Sequence, residues 1–434
     1  MSTKKVAFTT LGCKVNMYDT EAMSELFQKK GYEIVDFNEF SDIYIINTCT
    51  VTNFGDKKSR QIIRRAKKIN PEAIVVATGC YAQVAPDEVK KIDEINIVTG
   101  TKNRGSIVEI IENYSDKSKT INAVNSIMKE TDFENLSVNN LKGHTRAYLK
   151  IQDGCNRFCS YCIIPYARGP VRSRRPEDVL SEVKKLAENG YKEIVLTGIH
   201  IASYGTDLKN TNIEKILKQV HSIDGIERIR LSSIEPLIVT NSFIETLKSL
   251  PKICEHFHLS LQSGCDKTLK QMNRRYTTDE YKLAADKLKK LYPDVAVTTD
   301  IIVGFPGETQ EDFNESMNFA EEISFAKIHV FPYSPKTGTK AAEYPEQISS
   351  DEKKLRSNKM ISLSNKLNEK FLAAHIGKEK DVLFERCIGN NIYEGHTTNY
   401  ITVHVKSEKD ISNKILKTRI EKIVKEETVA ATLI

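Results

Sequence analysis

Tryptophan is missing from the 434 residues, and proline (12) and glycine (20) are sparse. That scarcity excludes collagen-like and low-complexity sequence, and 40% hydrophobic against 28% charged residues excludes disorder as a description of the whole. No apolar run approaches the roughly 20 residues of a membrane span, so a soluble globular protein with no membrane partner is expected. Charge of one sign is lacking too: 64 Lys+Arg against 58 Asp+Glu leave +6, too little to name a nucleic-acid partner. After Ser2-Thr3-Lys4-Lys5 only three apolar residues precede Thr9, too few for a secretory signal, and Thr10-Leu11-Gly12-Cys13 is a weak match to a lipoprotein cleavage box. A cytoplasmic location follows as the expectation. There, nine cysteines are more readily metal ligands or catalytic groups than disulfides.

The length predicts about three domains, and the patterning agrees on an α/β chain. Strands are expected at Val6–Thr10, Asp42–Asn47, Ala73–Thr78 and Asn96–Gly100, alternating with helices over about Asp19–Lys30 and Asp56–Ile69. This predicts an N-terminal parallel-sheet α/β domain over 1–114. A polar stretch without clear periodicity, 115–143, reads as a linker or irregular connection. A second block, 144–375, has candidate strands Ala147–Gln152, Glu193–Thr197, Arg228–Ser232, His256–Gln262, Val295–Val303 and Ala326–Phe331, which predict a partial (β/α)6 barrel. A helix over about Ser350–His375 ends the block, and 376–434 reads as a small β-barrel.

Chemistry concentrates in the cysteines. Cys155, Cys159 and Cys162 stand at C-x3-C-x2-C directly after the first strand of the second block, so one loop can fold three thiolates around an inorganic centre. Three ligands leave one iron of a four-iron, four-sulfide cluster open. A structural zinc site is the competing reading, but such sites are closed and four-coordinate. Cys13, Cys49 and Cys80 each lie within about three residues of the carboxyl end of one of the first three strands. In a parallel sheet those ends share an edge, where functional groups collect. The alternative is three ordinary buried thiols; the functional reading is a second cluster with an open iron. Cys254, Cys265 and Cys387 have no partner at ligand spacing, and His256 and His258 read as packing residues.

The Gly154-Cys155-Asn156-Arg157-Phe158-Cys159-Ser160-Tyr161-Cys162 loop resembles the cluster loop of the radical S-adenosylmethionine superfamily. The resemblance implies that the open iron chelates S-adenosylmethionine and that reductive cleavage gives a 5'-deoxyadenosyl radical. Leu196-Thr197-Gly198, Ser260-Leu261-Gln262-Ser263-Gly264 and Asp300-Ile301-Ile302-Val303-Gly304-Phe305-Pro306-Gly307-Glu308 fall at strand ends, which makes Gly198, Gln262 and Asp300 candidate contacts for that cofactor. The full order of parts resembles the methylthiotransferase family over essentially the whole chain. It implies two [4Fe-4S] clusters, S-adenosylmethionine, a terminal TRAM domain that engages substrate, an electron donor such as flavodoxin or ferredoxin, and a sulfur donor. Thr10-Leu11-Gly12-Cys13-Lys14-Val15-Asn16 and Asn47-Thr48-Cys49-Thr50-Val51-Thr52 look most like the bacterial branch acting on threonylcarbamoyladenosine in the anticodon loop of tRNA. The isopentenyladenosine branch usually reads Gln-Met-Asn after its first cysteine. Other acceptors, an isopentenylated adenosine or a ribosomal-protein aspartate, are alternatives within the class. A non-enzymatic iron-sulfur RNA-binding redox sensor is the alternative outside it.

For RNA, Asp56–Lys68 holds seven basic residues and one acidic, the whole net charge of the chain in one helix. Ile62, Ile63, Ala66 and Ile69 form an apolar stripe that would dock it, leaving Lys57, Arg60, Arg64 and Lys68 outward for phosphate. Arg168, Arg172, Arg174 and Arg175 form a second basic concentration suited to phosphate. The segment 376–434, with ten Lys+Arg and nine Asp+Glu, is no RNA anchor by charge, though Tyr393 and Tyr400 could stack on bases.

Overall fold

The computed structural model describes residues 3–116, 119–138 and 145–434. Six parallel strands form the first sheet, in the order Glu33–Val35, Lys5–Thr10, Ile43–Thr48, Ile74–Gly79, Ile97–Val98, Ile121–Asn122. Its central strands are almost wholly apolar because both faces are covered. Alternation sends Tyr44, Ile46, Val75 and Ala77 against Ile63 and Ala66 of helix Asn53–Ile69, and sends Val6, Ile43, Ile45 and Val76 against Met23 and Phe27 of helix Lys14–Lys29. The latter helix begins five residues before the expected Asp19. Its N-cap is Cys13, which makes no side-chain cap bond, so no Ser, Thr, Asp or Asn announces the start.

The stretch read as a linker does structural work. Ile121–Asn122 extends the sheet, Ile127 and Val138 are buried, and the Tyr18 hydroxyl donates to the Leu136 carbonyl at 2.5 Å. Residues 117–118 and 139–144, which include the expected start of the second block, lie outside the described residues.

Strands Arg146–Lys150, Glu193–Thr197 and Arg228–Leu231 form one parallel sheet, and His256–His258, Ala296–Val303 and Lys327–Pro332 form another. Parallel bridges Ile229↔Ile253 and Ile234↔Leu259 join them into six strands in chain order, open between first and last. This is the partial (β/α)6 barrel. Its period-2 alternation is informative. Ala147, Leu149, Ile194, Leu196, Ile229, Leu231, Phe257, Val297 and Ile328 belong to the core under the helices, so their neighbours Arg146, Tyr148, Lys150, Glu193, Arg230, His256, His258, Asp300 and His329 line the lumen. A packed barrel would hold branched apolar groups there; this one holds charges and imidazoles, which suits a polar ligand.

Helix Ser350–Ala373 leads to a closed five-strand barrel of Glu379–Cys387, Ile392–Thr397, Thr402–Lys406, Thr428–Leu433 and Ile415–Lys425. Tyr400 from this domain stacks between His256 and His396, with ring centroids at 4.8 and 4.9 Å, and under Arg230 at 4.6 Å. Tyr393 is buried in the small barrel's own core. Both tyrosines are therefore occupied by protein, which corrects their expected use as base-stacking platforms.

Candidate functional site

The sheet's carboxyl edge brings Cys13, Cys49 and Cys80 together, close enough that Cys80 and Cys13 act electrostatically on Cys49, and Cys13 on Cys80. Cys13 caps a helix and Cys80 opens another, Cys80–Val84, so backbone N–H groups point toward the trio, an arrangement that favours anionic ligands. Gly79 is required at the turn into Cys80. Its φ is +91°, and a Cβ there would lie 2.4 Å from Asn47 Oδ1 and 2.6 Å from the Thr48 carbonyl.

Cys155, Cys159 and Cys162 also converge: Cys159 and Cys155 both act on Cys162, whose N–H donates to the Cys159 carbonyl at 3.0 Å. Gly154, at φ +74°, lets the loop leave its strand where a Cβ would fall 1.8 Å from the Pro170 carbonyl. The guanidinium of Arg274 donates to Cys159 Sγ at 3.3 Å and faces Glu235, which also meets Arg157 at 2.5 Å.

One residue links the first triad to the root of the second triad's loop. Arg168 Nε donates to Cys80 Sγ at 3.3 Å, while its NH1 donates to Asp19 Oδ2 at 2.9 Å and Asp153 Oδ2 at 3.2 Å and its NH2 bonds Asn16. Asp153 lies two residues before Cys155. Lys150 Nζ donates to Asp19 at 2.5 Å and Asp153 at 3.2 Å, and Arg104 meets Asp19 at 3.0 Å. Burial works against charge on both carboxyls, but the surrounding Arg104, Lys150 and Arg168, with Arg172 beside Asp153, outweigh it and hold both below their ordinary range.

Both triads fit iron-sulfur ligation. Burial pushes the bare thiols of Cys49 and Cys155 up to about 11 and that of Cys162 to about 12, so these sulfurs are held protonated unless a metal displaces the proton. Each triad also has a guanidinium N–H aimed at one sulfur, the kind of hydrogen bond that steadies anionic cluster sulfur. Cys254, Cys265 and Cys387 join neither group.

The other predicted residues fall in three places. Gly198 lies against Gln152, Gln262 takes φ +75° and donates its N–H to the Asp300 carbonyl, and the Asp300 carboxylate turns into the lumen 3.3 Å from His258 Nε2. On helix Asn53–Ile69, Lys57, Arg64 and Lys68 are exposed, while Arg60 is tied to Tyr81 and Glu88. The acidic member of this helix, Asp56, is buried and ion-paired to Lys336. The expectation for Arg172 and Arg174 is corrected: both are 2% exposed, with Arg174 on Glu182 at 2.6 Å and Arg172 beside Asp153, so neither can reach a phosphate. Arg168 is likewise an interior residue. The sequence offered it for phosphate, and Arg274 and Asp19 were not singled out at all. A charged Lys150 at the buried end of strand Arg146–Lys150 was the available signal that buried ionic partners converge nearby.

The Radical SAM superfamily model matches residues 149–320, and the model of an uncharacterized protein family, UPF0004, matches residues 5–100. Among solved structures, the radical S-adenosylmethionine methyltransferase TsrM from Kitasatospora setae shares the fold, with a TM-score of 0.58 at 15% identity over 77% of each chain. Barrel, cysteine loop and match together define a radical S-adenosylmethionine protein. The threonylcarbamoyladenosine tRNA methylthiotransferase MtaB of Bacillus subtilis is 46% identical over 96% of this chain and 94% of its own length. The MtaB of Aquifex aeolicus is 40% identical over 95% and 99%. A tRNA-2-methylthio-N(6)-dimethylallyladenosine synthase of Clostridium botulinum is 37% identical over 95% and 93%. The chain belongs to the radical S-adenosylmethionine methylthiotransferase family.

Proposed function

We propose that this protein is a tRNA methylthiotransferase that converts N6-threonylcarbamoyladenosine, next to the anticodon, to its 2-methylthio derivative. The observation that carries the reading is the pair of open thiol triads, each with an arginine on one sulfur, Arg168 on Cys80 and Arg274 on Cys159, beside a polar lumen. A C2–H of adenine has no accessible pKa, so side-chain acid-base chemistry cannot remove it. Bound [4Fe-4S] clusters and S-adenosylmethionine supply the radical and the sulfur that the reaction needs. Cys155, Cys159 and Cys162 would hold the first cluster, Cys13, Cys49 and Cys80 the second, with Gly198, Gln262 and Asp300 as proposed contacts for S-adenosylmethionine. The chain's own work is to fix the two sites relative to each other through Arg168, to enclose the base in the lumen, and to keep water out. The threonylcarbamoyl acceptor is favoured because the relatives named for it reach 46% and 40% identity against 37% for the one named for dimethylallyladenosine.

The reading further requires an electron donor of the flavodoxin or ferredoxin class and a sulfur donor, and it places the enzyme in the cytoplasm with its tRNA. No helix among the described residues is long and apolar enough to cross a membrane. Nucleoside mass spectrometry of tRNA from cells with and without the protein tests acceptor and reaction together. Loss of the methylthio form of threonylcarbamoyladenosine is expected; an unchanged level would refute the assignment.

For the tRNA, Lys57, Arg64 and Lys68 are the proposed phosphate contacts, with Arg60 a fourth if it exchanges Glu88 for phosphate. At about 0.7 to 0.9 per neutralised phosphate, log affinity should fall with log salt at a slope of about −2 to −3.5. Replacing Lys57, Arg64 and Lys68 together by glutamine should make it shallower by about 2 to 2.7, measured by fluorescence anisotropy of a labelled anticodon stem-loop.

A further inference from the structure

The charges that line the barrel's lumen are matched one by one. Arg230 Nε donates to Glu193 at 2.8 Å, Arg146 meets Glu385 at 3.1 Å, and Lys150 lies on Asp19 and Asp153. Arg228 donates to the Asp381 and His396 carbonyls at 2.8 and 2.9 Å. Lys14 breaks this pattern. It follows Cys13 directly, and its side chain enters the mouth of the lumen with Nζ 5.9 Å from the centroid of the Tyr148 ring. Its electrostatic surroundings are Tyr400, Arg230, Arg146 and Glu193. Yet among the described residues no carboxylate lies within ion-pair distance of it. Glu193, the carboxylate among those surroundings, is already held by Arg230.

A half-buried ammonium among other cations is disfavoured unless something anionic meets it. The acceptor proposed above carries such a group. A threonylcarbamoyl substituent ends in a carboxylate and is attached at N6, whereas the reacting carbon is C2, on the far side of N1. With C2 turned to the cysteine edge, the substituent points away from that edge and into the lumen. We propose that Lys14 binds this carboxylate and is thereby a specificity-determining residue, selecting adenosines whose N6 substituent is anionic over those whose substituent is apolar or neutral. The inference rests on the threonylcarbamoyl reading. It makes Lys14 a reader of the substituent and leaves the thiol triads to the chemistry.

The test uses full-length, cluster-loaded protein and three anticodon stem-loops, bearing threonylcarbamoyladenosine, its methyl ester and isopentenyladenosine. Wild-type protein should bind the carboxylate form about ten- to a hundredfold more tightly than the ester, the range of a charge-assisted hydrogen bond. In Lys14→Gln that preference should collapse to within about twofold, and in Lys14→Arg most of it should survive because the charge is kept. Equal affinity of wild-type protein for acid and ester overturns the proposal with no variant needed, so misfolding of a variant cannot shelter it. An equal loss for all three stem-loops in Lys14→Gln would make Lys14 a phosphate contact and equally overturn it. Wild-type protein that binds the acid form but does not methylthiolate it would instead refute the acceptor reading.

Discussion

Cys13→Ala, Cys49→Ala and Cys80→Ala are each expected to abolish methylthiolation while S-adenosylmethionine is still cleaved to 5'-deoxyadenosine, and iron should fall from roughly eight to roughly four atoms per chain. The division follows from the fold. The first three thiols belong to the edge of the N-terminal sheet, and the other three to a single loop whose main-chain bonds to Gly169, Met272 and Ala341 stay within the barrel block. Cys155→Ala, Cys159→Ala or Cys162→Ala should also leave roughly four irons, yet stop both reactions, since cleavage precedes transfer. The structure adds an order within the first group. Cys80 is the sulfur to which Arg168 donates, and Arg168 also holds Asp153 at the root of the radical loop. Cys80→Ala should therefore slow cleavage more than Cys13→Ala or Cys49→Ala. Iron analysis, chromatography of 5'-deoxyadenosine and nucleoside mass spectrometry read the three quantities; loss of cleavage in all three N-terminal variants would contradict the separation.

Much of this site is written in spacing. C-x3-C-x2-C is local, so the radical loop is visible in nine residues, and a cysteine after each of three strands is visible because parallel strands share an edge. The main strand and helix order was legible for the same reason: both blocks alternate short buried runs with helical periodicity. Ends moved, as at Cys13, where the N-cap lacks a capping side chain, and the short edge strands Glu33–Val35 and Ile121–Asn122 went unread. Pairings that depend on tertiary contact were not legible. Arg168, Arg172 and Arg174 are a basic run without an acid between them, which reads as a surface for phosphate. Their partners Asp19, Asp153 and Glu182 come from three other segments: folding of the barrel brings Asp153 to Arg172 and Glu182 to Arg174, and docking of the N-terminal helix brings Asp19 to Arg168. Helix Asn53–Ile69 was read correctly as amphipathic because its apolar stripe is a local property, but the burial of Asp56 on Lys336 could not be. Tyr400 shows the same limit: nothing in its neighbours announces that His256 and Arg230, from distant strands, enclose its ring.

Asp19→Asn should be the most destabilising single change outside the cysteines. The carboxylate is fully buried and accepts from Lys150 at 2.5 Å, Arg168 at 2.9 Å and Arg104 at 3.0 Å. Neutralising it leaves three buried cations facing only Asp153 and Glu134, and loss of one partner from such a cluster costs about 3–5 kcal/mol. Because Asp19 and Arg104 belong to the N-terminal domain and Lys150 and Arg168 to the barrel, the loss falls on the docking of the two. Protease cleavage should accordingly begin within the N-terminal domain of the variant while the barrel persists. Acid provides the diagnostic. The folded carboxyl titrates below its ordinary 3.8, so its stabilisation is complete above the unfolded value and disappears as pH falls through the folded one. In cluster-free protein, the gap in urea midpoint between wild type and Asp19→Asn should be constant from neutral pH down to about pH 5 and close only below the ordinary carboxyl range. A gap that persists unchanged in strong acid would mean that Asp19 acts through shape, and that the Arg168 bridge from Cys80 to Asp153 does not depend on its charge.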